Sequence, residues 1–291
     1  MFAFADSAEP AARLAQELGV PCYDVAVRRF PDGESLVRVP AAPATAILYR
    51  SLDHPNEKIV ELLLAASALR DGGTSRLVLV LPYLAYMRQD IAFHPGEAVS
   101  QRVIGRLLAE HCDALLTLDP HLHRTPSLGE VMPGIEAVSV SAAPVLAAAL
   151  DEDADPLLIG PDEESRQWVE AIARPRGLEF LLGRKQRLGD CEVDLAIDGI
   201  ERAAGRAVVL VDDLVSSGGT LKASARLLRG AGAARIEALA THCLAPQEDL
   251  DEIRSAGIAS LRATDTVAGP AGSLPIAGLL AAELRQRGWL N

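Results

Sequence analysis

Short apolar runs recur along the chain, at residues 46–49, 77–81, 114–118, 137–140, 157–159, 193–197, 207–211 and 236–241. Between many of them lie stretches with helical spacing. Residues 56–70 carry Ile59, Val60, Leu62, Leu63, Leu64, Ala66 and Leu69 on one broad face, and 99–111, 142–151, 163–173, 220–230 and 276–287 read similarly. Unbroken apolar strands alternating with helices predict an α/β fold with mainly parallel sheets, buried on both faces and flanked by helices. Asp71-Gly72-Gly73 and Gly230-Ala231-Gly232 supply helix stops. The best boundary falls within 141–150, dividing the chain into domains over 1–143 and 144–291. Each holds several strand–helix units, which is consistent with a duplicated fold. The last helix, 276–287, is expected to pack back on the N-terminal domain. In parallel sheets ligands gather at the carboxyl ends of strands, so the polar residues directly after each run are the ones to inspect.

Composition narrows the field. The 291 residues carry 28 basic and 40 acidic side chains, a net charge of −12, which argues against a nucleic-acid binder. Apolar residues make up 49%, enough for a sizeable core, while aromatics at 4% argue against base-stacking platforms. Cys22, Cys112, Cys191 and Cys243 are scattered, with no C-x-x-C pair, and read as core thiols in a reducing compartment. The expected setting is cytoplasmic, without a signal peptide or membrane span. Only three basic residues are lysines (Lys58, Lys185 and Lys222), so a lysine here is more informative than usual.

The strongest segment is AVVLVDDLVSSGGT over 207–220. An apolar strand runs into Asp212 and Asp213, then Ser216, Ser217, Gly218, Gly219 and Thr220 open a helix. Glycines let backbone N–H groups face an anion, and the helix N-terminus favours negative charge. Carboxylates beside such a cradle suit sugar hydroxyls or a metal ion, so the segment describes a sugar-phosphate site. It is neither a P-loop nor a dinucleotide fingerprint. Arg88 and Gln89, before Asp90, put a planar cation and an amide at a strand end, able to hold a phosphate and a purine edge. Phe30-Pro31-Asp32-Gly33-Glu34 reads locally as a turn. His121 and His123 would share a face of an extended strand end and could bind a metal. Asp162 follows an apolar run, where a carboxylate suits Mg²⁺ and sugar hydroxyls. Lys185 and Arg187 form a basic cluster just before residues 188–192, a stretch expected to be mobile.

These segments, in this order, resemble the ribose-phosphate pyrophosphokinase family, whose two domains have the type I phosphoribosyltransferase fold. The resemblance spans nearly the whole chain. It rests on Phe30-Pro31-Asp32-Gly33-Glu34, residues 81–90, Thr117-Leu118-Asp119-Pro120-His121, Gly160-Pro161-Asp162, Lys185-Gln186-Arg187, residues 212–220, Ala240-Thr241-His242 and Thr264-Asp265-Thr266. It implies transfer of the β,γ-diphosphoryl group of ATP to O1 of ribose 5-phosphate, giving 5-phosphoribosyl 1-diphosphate and AMP, with the active site between the domains. Arg88, Gln89 and Asp90 would bind ATP. Phe30, Asp32 and Glu34 would reach a neighbouring subunit's ATP, Phe30 against the adenine, which makes the enzyme a homo-oligomer. His121 and Asp162 would hold Mg²⁺. Asp162, Asp212, Asp213 and residues 216–220 would hold ribose 5-phosphate, and Lys185 and Arg187 would act on the reacting phosphates. Alternatives are a non-catalytic regulatory relative and a phosphoribosyltransferase that consumes the product.

Three departures matter. Glu163-Glu164-Ser165 stands where small residues, often glycines, are usual, and adds negative charge. Ile91 and Ser216 replace the basic and acidic residues common in classical members, pointing instead to the shorter, archaeal-type pattern. Inhibition by ADP at a separate site is therefore not carried over.

Overall fold

The computed structural model describes residues 1–290 other than 123, 152–154 and 188–192, and does not describe the side chains of 185–187, 193 and 194. The chain forms two compact units. Unit 1 comprises Met1–Val140, Thr266–Ala268 and Ile276–Asn291; unit 2 comprises Ser141–Asp265 and Gly269–Pro275.

Unit 1 contains β1 (Phe2–Phe4), α1 (Ala8–Leu18), β2 (Tyr23–Arg29), β3 (Ser35–Arg38), β4 (Thr45–Tyr49), α2 (Pro55–Asp71), β5 (Arg76–Val80), α3 (Ser100–Ala109), β6 (Ala114–Leu118), α4 (Leu128–Val131) and β7 (Glu136–Val140). Its seven-stranded sheet runs β3-β2-β1-β4-β5-β6-β7, parallel except for the β2–β3 hairpin.

Unit 2 contains α5 (Ala143–Ala148), β8 (Leu157–Gly160), α6 (Arg166–Ala173), β9 (Phe180–Arg187), β10 (Val193–Ile197), β11 (Ala207–Val215), α7 (Gly219–Gly230), β12 (Arg235–Cys243), α8 (Gln247–Ser255), β13 (Ser260–Thr264) and β14 (Gly272–Leu274). Its sheet runs β10-β9-β8-β11-β12-β13-β14, parallel except for β9–β10. The two orders are the same. In each, the winding direction reverses between the first strand and the fourth, β1 and β4 or β8 and β11, and that switch point opens a crevice at the strands' carboxyl ends.

Burial on both faces explains the unbroken apolar strands. In β11, Val208 and Leu210 pack on one side with Leu221 and Leu228. Val209 and Val211 face the other side, with Trp168 and Ile172. Unit 1 is built alike around Phe2, Leu48, Leu62 and Leu79.

The final helix α9 (Ala277–Gln286) packs on α1 within unit 1. Beyond it Trp289 is only 1% exposed, and its Nε1 donates to Glu136 Oε2 at 2.8 Å. Arg287 NH1 reaches the same carboxylate at 3.0 Å. No described helix is long and apolar enough to cross a membrane.

Three expectations need correction. The apolar pattern marked no element before residue 46, yet β1, α1, β2 and β3 lie there. β1 has only three residues, and the β2–β3 ribbon is largely exposed, so neither writes a strong pattern. The strand expected over 207–211 continues to Val215, because β12 is also longer and pairs Asp212 with Ala240 and Val215 with Cys243. Cys112 and Cys243 are buried as expected, but Cys22 is exposed at the start of the ribbon, and Cys191 lies outside the described residues.

Candidate active site

At the switch point of unit 2, β8 and β11 present three carboxylates. Asp212 and Asp213 sit within β11 rather than after it, and Asp213 is buried. Burial first, then the charges of Asp213 and Asp162 and a side-chain hydrogen bond with Asp213, hold the Asp212 carboxyl well above the usual carboxylate range. The Asp213 amide donates to Asp212 Oδ1 at 3.0 Å and opposes this only partly. Such a set is relieved by a hydroxyl donor or a cation.

After β11, Ser216 and Ser217 are exposed and Gly218 caps α7 with φ +68°. A Cβ on Gly218 would lie 2.3 Å from Ile253 Cδ1, so glycine is required twice, by conformation and by space. No side chain caps α7, which leaves its first amides facing the 216–220 loop. Lys222 Nζ binds Glu252 at 2.6 Å and ties α7 to α8. A cradle of exposed hydroxyls, glycine backbone and helix N-terminus is chemically suited to a phosphate.

Asp162 has a structural duty as well. It is the N-cap of a short turn, Glu163–Ser165, that leads into α6. Its Oδ1 accepts from the amides of Glu164 and Ser165 at 3.1 and 3.2 Å, and the Ser165 hydroxyl completes a reciprocal capping box. Ser165 is fully buried, its hydroxyl filling the space a Cβ on Gly160 would take. The Glu163-Glu164-Ser165 departure thus builds an ordered cap. Both glutamates point to solvent, and Glu163 pairs with Arg166 at 2.9 Å.

Lys185 and Arg187 occupy alternate positions of β9, opposite Leu195 and Val193 of β10. Their backbone is therefore strand; their side chains, and the mobile stretch expected over 188–192, lie outside what the structure describes.

In unit 1, residues 30–34 form the tip of the β2–β3 hairpin. Phe30 N donates to Glu34 O at 2.8 Å, Gly33 N to Phe30 O at 3.0 Å, and Glu34 N to Asp32 Oδ1 at 3.2 Å. Phe30 is exposed, with the Arg28 guanidinium 5.3 Å from its ring centroid.

The 88–90 segment lies in the loop after β5. Arg88 is exposed and Gln89 half-buried, but Asp90 is buried. Its carboxylate takes Arg124 NH1 at 2.9 Å and the Arg124 amide at 3.1 Å, so it holds the loop that carries His121. Buried Gln101 stitches the same two loops, donating to Met87 O at 3.2 Å and accepting from Thr125 Oγ1 at 2.9 Å.

The expectation that His121 extends a strand fails. β6 ends at Leu118, and Asp119 turns the backbone with φ +30°. His123 lies outside the described residues.

Sequence reasoning also passed over a buried network at the matching switch point of unit 1. Arg50, directly after β4, pairs with Asp6 at 2.9 Å and with Glu61 at 2.7 Å, and stacks 3.9 Å from the Phe4 ring centroid. Lys58 adds ion pairs to Asp53 at 2.7 Å and Asp6 at 3.3 Å. The strand-end rule, applied evenly, would have picked out Arg50.

Comparison with known proteins bears on both units. Residues 1–111 match the family described as the N-terminal domain of ribose phosphate pyrophosphokinase, and residues 139–256 match the phosphoribosyl transferase domain. A ribose-phosphate pyrophosphokinase of Methanopyrus kandleri is 37% identical over 263 residues, covering 89% of each chain. That of Thermococcus kodakarensis is 36% identical over 260 residues, 89% of this chain and 91% of the relative. Among solved structures, the phosphoribosylpyrophosphate synthetase from Mycobacterium smegmatis superposes with a TM-score of 0.86 at 25% identity, covering 100% of this chain and 99% of that one.

Proposed function

The chain belongs to the ribose-phosphate pyrophosphokinase family, and from that premise we propose that it transfers the β,γ-diphosphoryl group of ATP to O1 of ribose 5-phosphate. O1 attacks the β-phosphorus and loses its proton. The O1–Pβ bond forms, and the bond from Pβ to the oxygen bridging Pα and Pβ breaks. AMP departs with the electron pair on its phosphate oxygen.

The observation that carries the acceptor assignment is the junction of β11 and α7. There a cradle of hydroxyls and uncapped amides, turned by Gly218, stands beside the Asp212–Asp213 carboxyl pair, which suits sugar hydroxyls. Residues 216–220 hold the 5-phosphate, and Asp212 and Asp213 orient the ribose. On the donor side, Arg88 and Gln89 bind ATP, with Asp90 fixing their loop from behind. Lys185 and Arg187 stabilise charge on the transferring group and on departing AMP. Positioning and charge neutralisation, rather than covalent work by the protein, supply the rate.

Mg²⁺ keeps several waters and takes most other ligands from substrate phosphates, so it asks few side chains of the protein. His121 in unit 1 and Asp162 in unit 2 are the candidates the family resemblance supplies, each taken by itself. A bound Mg²⁺ supplies charge neutralisation across the triphosphate and makes the β-phosphorus more electrophilic. Cytoplasmic action as a homo-oligomer, with the 30–34 tip serving a neighbouring copy's ATP, completes the reading.

Phosphorus NMR of the purified protein with ATP, Mg²⁺ and ribose 5-phosphate tests it. AMP and a ribosyl diphosphate should appear together, and only with all three present. ADP in place of AMP would mean a simple kinase and would overturn the reading. ATP binding without turnover would leave a non-catalytic relative.

A further inference from the structure

The β2–β3 ribbon presents a mechanical problem. It is an edge hairpin with most of its residues exposed, yet its tip carries Phe30, Asp32 and Glu34. A tip that contributes to a binding site has to be held, and the ribbon's core contacts through Val25 and Val37 lie in the stem, away from the tip.

The clamp lies beneath it, on α2. Arg29 and Ser35 face each other across the last rung before the tip. Both donate to one oxygen of Glu61: Arg29 Nε and NH2 at 3.3 Å each, and Ser35 Oγ at 3.0 Å. The other oxygen of Glu61 takes Arg50 NH2 at 2.7 Å. The Glu61 side chain is only 1% exposed and its bond to Arg50 is buried, where it is strong and costly to leave unmade, while Arg29 and Ser35 reach it from the half-exposed side. Arg50 is in turn anchored by Asp6 and by the Lys58 carbonyl at 3.2 Å. The hairpin stem is thereby joined, through one buried carboxylate, to the strand ends of β1 and β4.

We infer that Glu61 is a positioning residue for nucleotide binding: it sets the 30–34 tip by clamping the Arg29–Ser35 rung. The inference rests on the assignment of that tip to ATP. It concerns neither catalysis nor the acceptor.

The test is Glu61→Gln in the full chain, read by amide hydrogen exchange at the tip and by steady-state kinetics. The Phe30 and Gly33 amides close the tip and should exchange at least about tenfold faster. KM for ATP should rise by about tenfold or more, while KM for ribose 5-phosphate stays within about twofold. Unchanged exchange at the tip would overturn the inference. Faster exchange with unchanged KM for ATP would overturn it too, and Phe30→Ala then separates the causes. If Phe30→Ala raises KM for ATP, the tip serves ATP and only the Glu61 inference has failed. If it does not, the assignment of the tip has failed as well. Should Glu61→Gln not fold, Ser35→Ala removes a single bond of the clamp. It should move both readouts in the same direction by about threefold, and no movement in either would overturn the inference.

Discussion

Units 1 and 2 share a strand order but carry opposite chemistry at their switch points. In unit 1 the first charged residue after the apolar stretch of β4 is Arg50; in β11 of unit 2 it is Asp212. Asp6 and Asp162 each lie two residues past the end of the unit's first strand. In unit 1 that aspartate meets the Arg50 guanidinium at 2.9 Å and Lys58 at 3.3 Å. Burial pushes its carboxyl up, but Arg50 and Lys58 outweigh that and leave it below the usual range. In unit 2 Asp162 adds its charge to Asp212 and Asp213, and Asp212 is driven up. In the first crevice the aspartate meets the protein's own cations; in the second, neighbouring carboxylates crowd Asp212. One strand order thus carries opposite local electrostatics at its two switch points through the sign of a few residues.

The sharpest way to break this comparison is to remove the internal cation. Arg50→Met strips Glu61 and Asp6 of their shared partner, and a buried pair broken from one side typically costs about 3–5 kcal/mol. Calorimetry should show unit 1 unfolding at markedly lower temperature. A neutral result would mean that the network is decorative. Gly218→Ala comes next. Positive φ and overlap with Ile253 together cost roughly 1–3 kcal/mol, and titration calorimetry should show ribose 5-phosphate binding lost. In unit 1 the residue before α2 is His54, at φ +50°, so a side chain is accommodated there at some backbone cost and the crowding by Ile253 is what singles out Gly218.

The smallest effect has the opposite sign to the first. Asp212→Asn should raise the melting temperature of the ligand-free protein at neutral pH by a few degrees, about 1 kcal/mol, while weakening acceptor binding. The folded Asp212 carboxyl titrates above its unfolded value. The stability it contributes is therefore complete below the unfolded value and is lost as pH rises through the folded one. The gain from Asp212→Asn should thus grow as pH rises through that window and vanish at low pH. A pH-independent gain would locate the effect in packing rather than charge.

Much of this was legible in the chain. Inner strands buried on both faces write unbroken apolar runs, so β4, β5, β6, β8, β11 and β12 were visible, as was the glycine turn that opens α7. The exposed β2–β3 ribbon was not, because an edge hairpin needs no apolar face of its own. Long-range pairing was also invisible. Asp6 and Arg50 are 44 residues apart, and nothing local says that they meet. Asp90 entered as an ATP contact through the family resemblance, and only the fold shows that its carboxylate also holds Arg124. Glu163-Glu164-Ser165 looked disruptive because its residue types depart from the usual small ones, and only the fold shows the capping box and the seat of Ser165 against Gly160.

The return of the C-terminal segment to unit 1 has a consequence for the order of assembly. Unit 1 holds the first 140 residues, yet its structure also includes α9 against α1 and Trp289 against Glu136. During synthesis its sheet can pair early, but the groove awaiting α9 stays open while the whole of unit 2 is made. The half of the protein that begins first is the half that closes last. Until residues 277–286 are made, the α1 face they cover has no partner, so a truncation that removes α9 should destabilise unit 1 rather than unit 2.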